Sequence, residues 1–372
     1  MRARMPIKLF TRRPMTRGMP STHPGILLAF ALGVPAAATL LVWLLARHTR
    51  RGQKHATRLR AGELFRLLGG TVAGRVPEAA LRRAAARTDH VPFWDALEAI
   101  TATLRFRERR GLAHTLARSG HVAQERRVLV ASEPPARREL AARRLGLLPD
   151  PRSRRVLRHA LVRGPESVRL AAARALARHR DLRALRWLLE HPESLSTRPL
   201  PALVGLLRSF GPGARAMLIA WLERGHGDIR LECAALDVLG LARCRSARGS
   251  IAMRLQSPAL EPRVAAARAL GRLGMGEAIP VLVLALTDDA WPVRAMAAQA
   301  LGRLSASPAV DALAACVSDP SWWVRHHAAY ALAVIGGDGH EALIELAARS
   351  DDRYAREMAR EALEFGSRVR QA

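Results

Sequence analysis

The amino-acid sequence predicts an all-α fold in which pairs of helices stack into a solenoid, preceded by one membrane-spanning helix. The main observation is a short motif, V-R-x-x-A-A-x-A-L-G, whose best copies recur every 31 residues. A fixed period of this length is typical of stacked structural repeats. The second observation is one uncharged apolar stretch near the N-terminus. The motif arginines are Arg138, Arg169, Arg263, Arg294, Arg325 and Arg356, with Leu200 and Glu232 in the two remaining slots.

Each repeat is predicted to contain two antiparallel helices. The apolar residues of one motif copy have the spacing that gathers them on one helix face; they are Val293, Ala297, Ala300, Leu301 and Leu304. A second apolar stretch precedes each motif helix and recurs with the same displacement of 31 residues, so that Ile279, Leu282, Ala285 and Leu286 correspond to Val310, Leu313, Cys316 and Val317. One such pair cannot bury its own apolar faces, but a stack of pairs can.

The repeat resembles bacterial HEAT repeats of the short, phycobilin-lyase-like kind. The segment that carries the resemblance reads A-I-P-V-L-V-L-A-L-T-D-D-A-W-P-V-R-A-M-A-A-Q-A-L-G-R-L. The similarity is strong over residues 150–365, weaker over 104–149 and suggestive over 61–103. It implies a right-handed helical solenoid that binds proteins. It implies little about chemistry, because a fold does not fix a function.

The uncharged apolar stretch covers residues 25–46 and has 22 residues. A helix of this length extends about 33 Å, enough to cross a hydrocarbon core of about 30 Å. A cleavable signal peptide is the alternative, but the run exceeds the usual ~7–15 apolar residues and its small residues lie in the middle. Basic residues follow directly and form a stop-transfer block. We therefore expect an uncleaved, single-pass anchor.

The anchor and the repeats divide the chain into five segments. Residues 1–24 are a basic tail, 25–46 the transmembrane helix and 47–61 a basic juxtamembrane neck. Residues 62–149 carry degenerate helical repeats, as is common at the end of an array. Residues 150–372 carry regular repeats of 31 residues with a C-terminal cap.

The orientation of the anchor depends on where translation starts. Six basic residues precede the apolar stretch and six follow it, so the positive-inside rule is balanced. A start at Met19 would leave no basic residue ahead of the stretch and would place the C-terminal domain in the cytoplasm. Residues 61–163 hold 21 basic and 10 acidic side chains, which suits an anionic cytoplasmic leaflet. The predicted location is the inner (cytoplasmic) membrane, with the C-terminal domain cytoplasmic.

The net charge of +28 raises the question of nucleic-acid binding. Only Lys8 and Lys54 are lysine, and a GC-rich genome favours arginine whatever the partner is. No helix-turn-helix and no basic motif interleaved with aromatics accompanies the charge, so no specific nucleic acid is predicted. No metal and no cofactor is predicted either, since His340-Glu341 is the only His-Glu pair. The cysteines match no metal motif and are expected to be reduced thiols: Cys233, Cys244 and Cys316.

The most regular polar pair is an Asp six residues before the motif Arg. Asp288 precedes Arg294 in this way, and Asp319 precedes Arg325. We expect Asp319 to cap the next helix with Pro320 in its first turn, and each Arg to reach an Asp of the neighbouring repeat. Such pairs would form a structural ladder that sets the pitch of the stack: Arg169, Arg263, Asp288, Arg294, Asp319, Arg325 and Arg356.

The second helix of each repeat carries the candidate partner-binding positions. Residues five and nine positions after the motif Arg lie one turn apart and form a ridge, and stacking aligns these ridges along one face. Trp323 is expected to be an exposed anchor there, whereas Trp291 and Trp322 are expected to pack between repeats. The candidate partner-binding residues are Arg268, Arg272, Gln299, Arg303, Trp323 and Tyr330.

These features predict a non-enzymatic, membrane-anchored scaffold or regulator that binds a partner protein at the cytoplasmic membrane face. A polysaccharide-forming glycosyltransferase is one candidate membrane partner, and the juxtamembrane region is expected to contact anionic lipid. No catalytic residue is assigned. The alternative is a lyase-like or nucleic-acid-modifying enzyme that uses the solenoid groove as its cleft, which a compact cavity with converging ionisable groups would favour.

Overall fold

A computed structural model describes the backbone of residues 59–195, 197–225 and 228–371, and side chains as far as residue 367. The predicted tail, the predicted transmembrane helix and most of the neck lie outside the described residues. Among the helices that are described, none is both long enough and apolar enough to cross a membrane. Residues Leu64–Ala372 form one compact unit.

All regular secondary structure in the described part of the chain is helical, which confirms the predicted all-α solenoid. The first described helix, α1, covers residues 59–72. The helices that follow are α2 (Glu78–Arg87), α3 (His90–Thr101), α4 (Phe106–Leu116), α5 (Gly120–Val130), α6 (Pro135–Leu145), α7 (Pro151–Arg163), α8 (Glu166–Arg178), α9 (Leu182–Glu190), α10 (Leu200–Ser209), α11 (Ala214–Arg224), α12 (Ile229–Leu241), α13 (Arg248–Met253), α14 (Leu260–Leu273), α15 (Ile279–Ala285), α16 (Trp291–Arg303), α17 (Val310–Cys316), α18 (Trp322–Ile335), α19 (Asp338–Arg349) and α20 (Arg353–Gln371).

The helices form two layers. The even-numbered helices from α6 to α20 are the second helices of the repeats, and each contacts the next second helix along the array. Most second helices also pack on the first helix that precedes them in the chain, as α18 does on α17. Leu and Ala side chains fill the space between the layers, among them Leu282, Ala297 and Leu301. The right-handed sense of the solenoid stays a prediction.

The turn after each second helix from α8 to α18 contains a residue with positive φ. A residue with positive φ occurs there every 31 or 32 residues: Arg180, Gly211, Arg243, Gly274, Ser305 and Gly336. Glycine adopts this conformation at little cost, whereas Arg180 (φ 54°), Arg243 (φ 45°) and Ser305 (φ 48°) do so against their intrinsic preference. Positive φ therefore recurs at this point of the repeat even where the residue is not glycine.

The second helices of neighbouring repeats come closest to each other at glycine positions. Gly240, Gly271 and Gly302 lie 31 residues apart, and each faces an alanine of the next second helix. A Cβ atom on Gly271 would lie 2.8 Å from the Cα atom of Ala300 and 2.7 Å from its Cβ atom. No side chain fits in that space, so the close contact between the helices requires glycine.

A polar network joins the helices of the degenerate region. Glu125 of α5 is buried, and one of its carboxylate oxygens accepts hydrogen bonds from Arg144 Nη1 of α6 and from His90 Nε2 of α3, both at 2.7 Å. The Nδ1 atoms of His90 and His121 lie 3.2 Å apart. Polar contacts therefore connect helices in a region where the repeating apolar motif is weak.

Candidate functional site

In four repeats the motif arginine donates hydrogen bonds to the backbone of the loop that precedes its own helix. Arg294 Nη1 donates hydrogen bonds to the backbone oxygens of Asp288 at 2.8 Å and Asp289 at 3.0 Å. These acceptors lie six and five residues before the arginine. The same pair of bonds is made by Arg263, Arg325 and Arg356. The arginine is therefore a structural residue of each of these four repeats.

Two motif arginines also bind a carboxylate of the following repeat. Arg263 Nε lies 3.0 Å from Asp288 Oδ2, while Arg294 donates to both oxygens of Asp319, at 2.7 and 3.0 Å. Burial acts to raise the pKa of Asp319, but hydrogen bonds from Arg294 and the backbone of Ser321 outweigh burial. The pKa of Asp319 is held below its ordinary value of 3.8.

The inter-repeat ladder is shorter than predicted. Each bound Asp lies 25 residues after its Arg, and the residue at that spacing is Ser350 for Arg325 and Ser194 for Arg169. Serine offers no carboxylate, so these two positions lack the predicted partner. Arg325 instead places its guanidinium carbon 5.3 Å from the ring centre of Tyr354.

The predicted helix cap at Asp319 is wrong. Helix α18 begins at Trp322 and Ser321 is the residue before it, so Pro320 precedes the first turn. Asp319 Oδ1 accepts a hydrogen bond from the backbone N–H of Ser321 at 2.8 Å, which closes a turn ahead of the helix. The side chain therefore stabilises the loop and the inter-repeat ion pair.

Asp319→Asn is expected to lower the stability of the protein at neutral pH, by an amount that decreases as the solution becomes acidic. Because the folded-state pKa of Asp319 is depressed, its contribution is present above the unfolded-state pKa and is lost as the pH falls through the folded-state value. At pH 7 the substitution should lower the free energy of unfolding by about 1–3 kcal/mol, the usual worth of a hydrogen-bonded charge pair. Urea denaturation at a series of pH values measures this. A difference between wild type and variant that stays constant below pH 3.8 would contradict the assignment.

Three arginines of the predicted ridge come together on α14 and α16, and they are here called the arginine cluster: Arg268, Arg272 and Arg303. Arg268 Nη1 lies 3.2 Å from Asp237 Oδ2, and Arg272 Nη1 lies 2.6 Å from Asp237 Oδ1. Arg303 has no ion pair within the described residues. Burial, Arg272 and Arg268 together lower the pKa of Arg303. A single carboxylate is thus shared by two of three neighbouring cations.

A row of aromatic rings runs along α18 and on to α20, here called the aromatic row: Trp322, Trp323, His326, Tyr330 and Phe365. Trp322 stacks on His326 with ring centres 4.9 Å apart, and His326 lies 4.2 Å from Tyr330. Tyr330 in turn lies 4.8 Å from Phe365. Trp322, Trp323 and Phe365 are exposed. His326 and Tyr330 are half-buried, so the row exposes aromatic rings mainly at its two ends.

The arginine cluster and the aromatic row meet at His327. This residue follows His326 on α18, and burial, His326 and Arg303 all lower its pKa. Its ring centre lies 5.4 Å from that of His326 and 6.5 Å from that of Trp323, and helix α18 packs on helix α16, which ends at Arg303. Gln299 lies one turn before Arg303 on α16 and is half-buried, with no hydrogen bond from its side chain within the described residues.

The predicted packing of Trp291 and Trp322 between repeats is wrong. Their exposed fractions are 45% and 46%. Both lie at the first position of a second helix. The buried position at that end of the helix lies two residues later, where Val293 and Val324 are fully enclosed. A β-branched side chain already fills the space between repeats, so the indole rings remain at the surface.

The prediction from sequence did not include two acidic residues that pair with residues of this surface. Asp237 lies five residues after the Glu232 slot, and Glu361 lies five residues after Arg356. Tyr330 Oη donates a hydrogen bond to Glu361 Oε1 at 3.0 Å, so this predicted binding residue already has a partner. The 31-residue register would have found both acids if it had been extended to the repeats without a basic or aromatic residue at that position.

The described residues show little metal or thiol chemistry. No group of three or more His, Cys, Asp or Glu side chains is arranged to hold a metal ion in the part of the chain that is described. Cys233, Cys244 and Cys316 are free thiols. Burial raises the pKa of Cys233 to about 12 and that of Cys316 to about 11, so both remain protonated at neutral pH.

Comparisons with known proteins identify the repeat. Residues 279–364 match the family model of HEAT repeats, and residues 262–288 match that of the PBS lyase HEAT-like repeat. No curated protein matches the chain. Among solved structures, the complex of CpcE and CpcF of phycocyanin lyase from Nostoc sp. PCC7120 is similar at 21% identity, covering 44% of this chain and 96% of that chain with a TM-score of 0.28.

Two further structures are similar at still lower sequence identity. Human deoxyhypusine hydroxylase in complex with glycerol is 20% identical, with coverage of 76% of this chain and 98% of that chain and a TM-score of 0.29. A Kap121p mutant is 16% identical, with coverage of 92% and 44% and a TM-score of 0.49. Likeness at these identities concerns the fold alone. Residues 262–364 of this chain therefore resemble HEAT repeats, and residues 262–288 resemble the PBS lyase HEAT-like kind.

Proposed function

We propose that this chain is a membrane-anchored, non-enzymatic scaffold or regulator whose second-helix face binds an acidic segment of a partner protein. The observation that carries the proposal is the arginine cluster, in which Arg303 has no carboxylate partner within the described residues. An acidic side chain of a partner would supply the missing charge. A hydrogen-bonded contact of this kind is worth about 1.5–3 kcal/mol.

The aromatic row supports a protein partner over a small anion. Trp323 is 51% exposed and Trp322 is 46% exposed, which leaves large apolar surfaces beside the arginine cluster. Arg, Tyr and Trp side chains are the most frequent anchors of protein interfaces. A segment with acidic residues next to apolar ones would bind both features at once.

The proposed location is the inner membrane, with the repeats in the cytoplasm. The uncharged stretch at residues 25–46 and the basic neck at 47–61 support this. A scaffold at that surface would hold its partner close to the membrane, and a glycosyltransferase of the membrane is a candidate. The neck would contact anionic lipid through its arginines.

The anchor predicts how the protein fractionates. Full-length protein should stay in the membrane pellet after carbonate extraction, because an apolar helix of this length is held by the hydrocarbon core. A reporter fused after Ala372 should be active in the cytoplasm only. Recovery of a soluble product cleaved near residue 46 would contradict the anchor, and activity of the reporter in the periplasm would reverse the topology.

Photo-crosslinking tests which face binds the partner. A photoreactive phenylalanine analogue at Trp323 should give a crosslinked partner when membranes are irradiated. The same analogue at Leu284, on the first helix α15 and 73% exposed, is the matched control and should give none. Crosslinks of equal yield from both positions would show that the second-helix face is not special, and crosslinks from Leu284 alone would place the partner on the other layer.

A further inference from the structure

A strongly basic cavity lies in the degenerate region, away from the arginine cluster. Its volume is about 490 Å³, and its walls come from α2, α4 and the start of α7. Five arginines and one histidine line it: Arg82, Arg110, His114, Arg118, Arg152 and Arg154. None of these arginines has an ion pair within the described residues.

The one carboxylate in the wall is already engaged. Asp150 Oδ1 accepts hydrogen bonds from Arg126 Nη2 at 3.2 Å and from the backbone N–H groups of Arg152 at 2.9 Å and Ser153 at 3.0 Å. Arg126 offsets the charge of Asp150. The wall thus holds five arginines and one carboxylate, whose Oδ2 atom is buried and has no hydrogen-bond partner among the described residues.

Arginine is abundant in this chain, so the number of arginines alone does not distinguish the cavity. A second cavity, of about 410 Å³ beside Trp94, allows the charges in the two walls to be compared. Four arginines line that cavity too, but Asp95 and Glu98 share its wall. Among these two basic cavities, the one at α7 has the larger excess of positive charge.

We propose that the cavity at α7 binds a phosphate group carrying at least two negative charges, borne by a soluble metabolite or by a lipid headgroup. One guanidinium group can donate two parallel hydrogen bonds to two oxygens of a phosphate, which makes arginine the preferred residue for this ligand. Asp150 caps helix α7 and accepts hydrogen bonds from the N–H groups of Arg152 and Ser153, so the attraction comes from the arginine side chains and not from the end of the helix.

The shape of the site favours a compact anion over a nucleic acid. Four of the five arginines come from helices α2, α4 and α7, the fifth, Arg118, comes from the turn after α4, and all five line one concavity. A nucleic-acid backbone is instead followed by charges spread along a surface. The volume lies within the range of small-molecule sites, about 300–1,000 Å³. This inference does not rest on the proposed partner-binding function, because it uses none of the residues of that face.

Calorimetric titration with inorganic pyrophosphate tests the site in the full-length chain. The double variant Arg82→Ala/Arg152→Ala should bind pyrophosphate at least about tenfold more weakly, because each arginine supplies charge-assisted hydrogen bonds. The control is Arg83→Ala/Arg155→Ala, which removes the same charge from the same two helices at exposed positions that do not line the cavity. The control should keep its affinity within about twofold, since neither of its arginines lines the cavity and more distant surface charges are largely screened by salt.

Competition then distinguishes the two sources of the phosphate. Displacement of pyrophosphate by phosphatidylcholine vesicles containing phosphatidic acid, but not by phosphatidylcholine alone, would support a lipid headgroup. Displacement of pyrophosphate by glycerol 3-phosphate, with no displacement by either kind of vesicle, would support a soluble ligand. Absence of pyrophosphate binding, equal weakening in both double variants, or tighter binding of short duplex DNA than of pyrophosphate would each overturn the proposal.

Discussion

Gly271→Ala is expected to destabilise the array, although alanine is the better helix former. In a free helix the substitution would be favourable by about 0.5–1 kcal/mol. In the folded chain the new Cβ atom would lie 2.8 Å from the Cα atom of Ala300. The obstacle is backbone, so it moves only if helices α14 and α16 separate. We expect a net loss of about 1–3 kcal/mol, the usual cost of overpacking.

Gly205→Ala is the matched control for this prediction. Gly205 lies inside α10, is exposed, and has no atom within 4 Å of a Cβ atom built on it. That substitution should raise the free energy of unfolding by about 0.5–1 kcal/mol. Urea denaturation of the full-length protein compares the two variants. Equal stability changes in both would show that the close helix contact contributes nothing.

The array of helices was predictable because its cause is periodic. The motif repeats at 31 residues, and each copy fills the same core positions with Ala and Leu. One error in the prediction has a local cause. Proline at 320 favoured a helix start there, but Asp319 bonds the backbone of Ser321 and delays the helix to Trp322. Helix ends depend on such single hydrogen bonds, which periodicity does not reveal.

The candidate site was predictable only in part. The register placed Arg268, Arg272 and Arg303 on one ridge, and the structure brings them together. The register did not reveal that Asp237 already binds two of these arginines, because the repeat that contains Asp237 has Glu232 in place of the motif arginine. Charge pairing depends on contacts between repeats, and these are set by the three-dimensional stack.

The basic cavity at α7 had no signature in the sequence. Its arginines are spread over residues 82–154, within the degenerate region where the register is weakest. No spacing rule relates side chains that come from three helices and a turn of different repeats. Only the folded arrangement shows which arginines face one concavity.

Loss of partner capture is the second large effect that we expect. Changing Arg268, Arg303 and Tyr330 together to Ala removes two cations and one ring from the second-helix face. Arg272 remains to pair with Asp237, so the carboxylate keeps a partner and the fold should persist. Interface anchors of these residue types are commonly worth 2 kcal/mol or more each on truncation, so together about a hundredfold loss of affinity or more is expected.

Affinity capture from detergent-solubilised membranes tests this most directly. The tagged triple variant is compared with wild type and with Arg245→Ala/Arg248→Ala/Leu284→Ala, a control that removes two exposed arginines and one exposed apolar side chain at or next to the first helices α13 and α15. Circular dichroism checks that all three proteins are folded. The account predicts that wild type and control retain the partner and that the triple variant loses it. Retention of the partner by the folded triple variant at the wild-type level would contradict a binding site on the second-helix face.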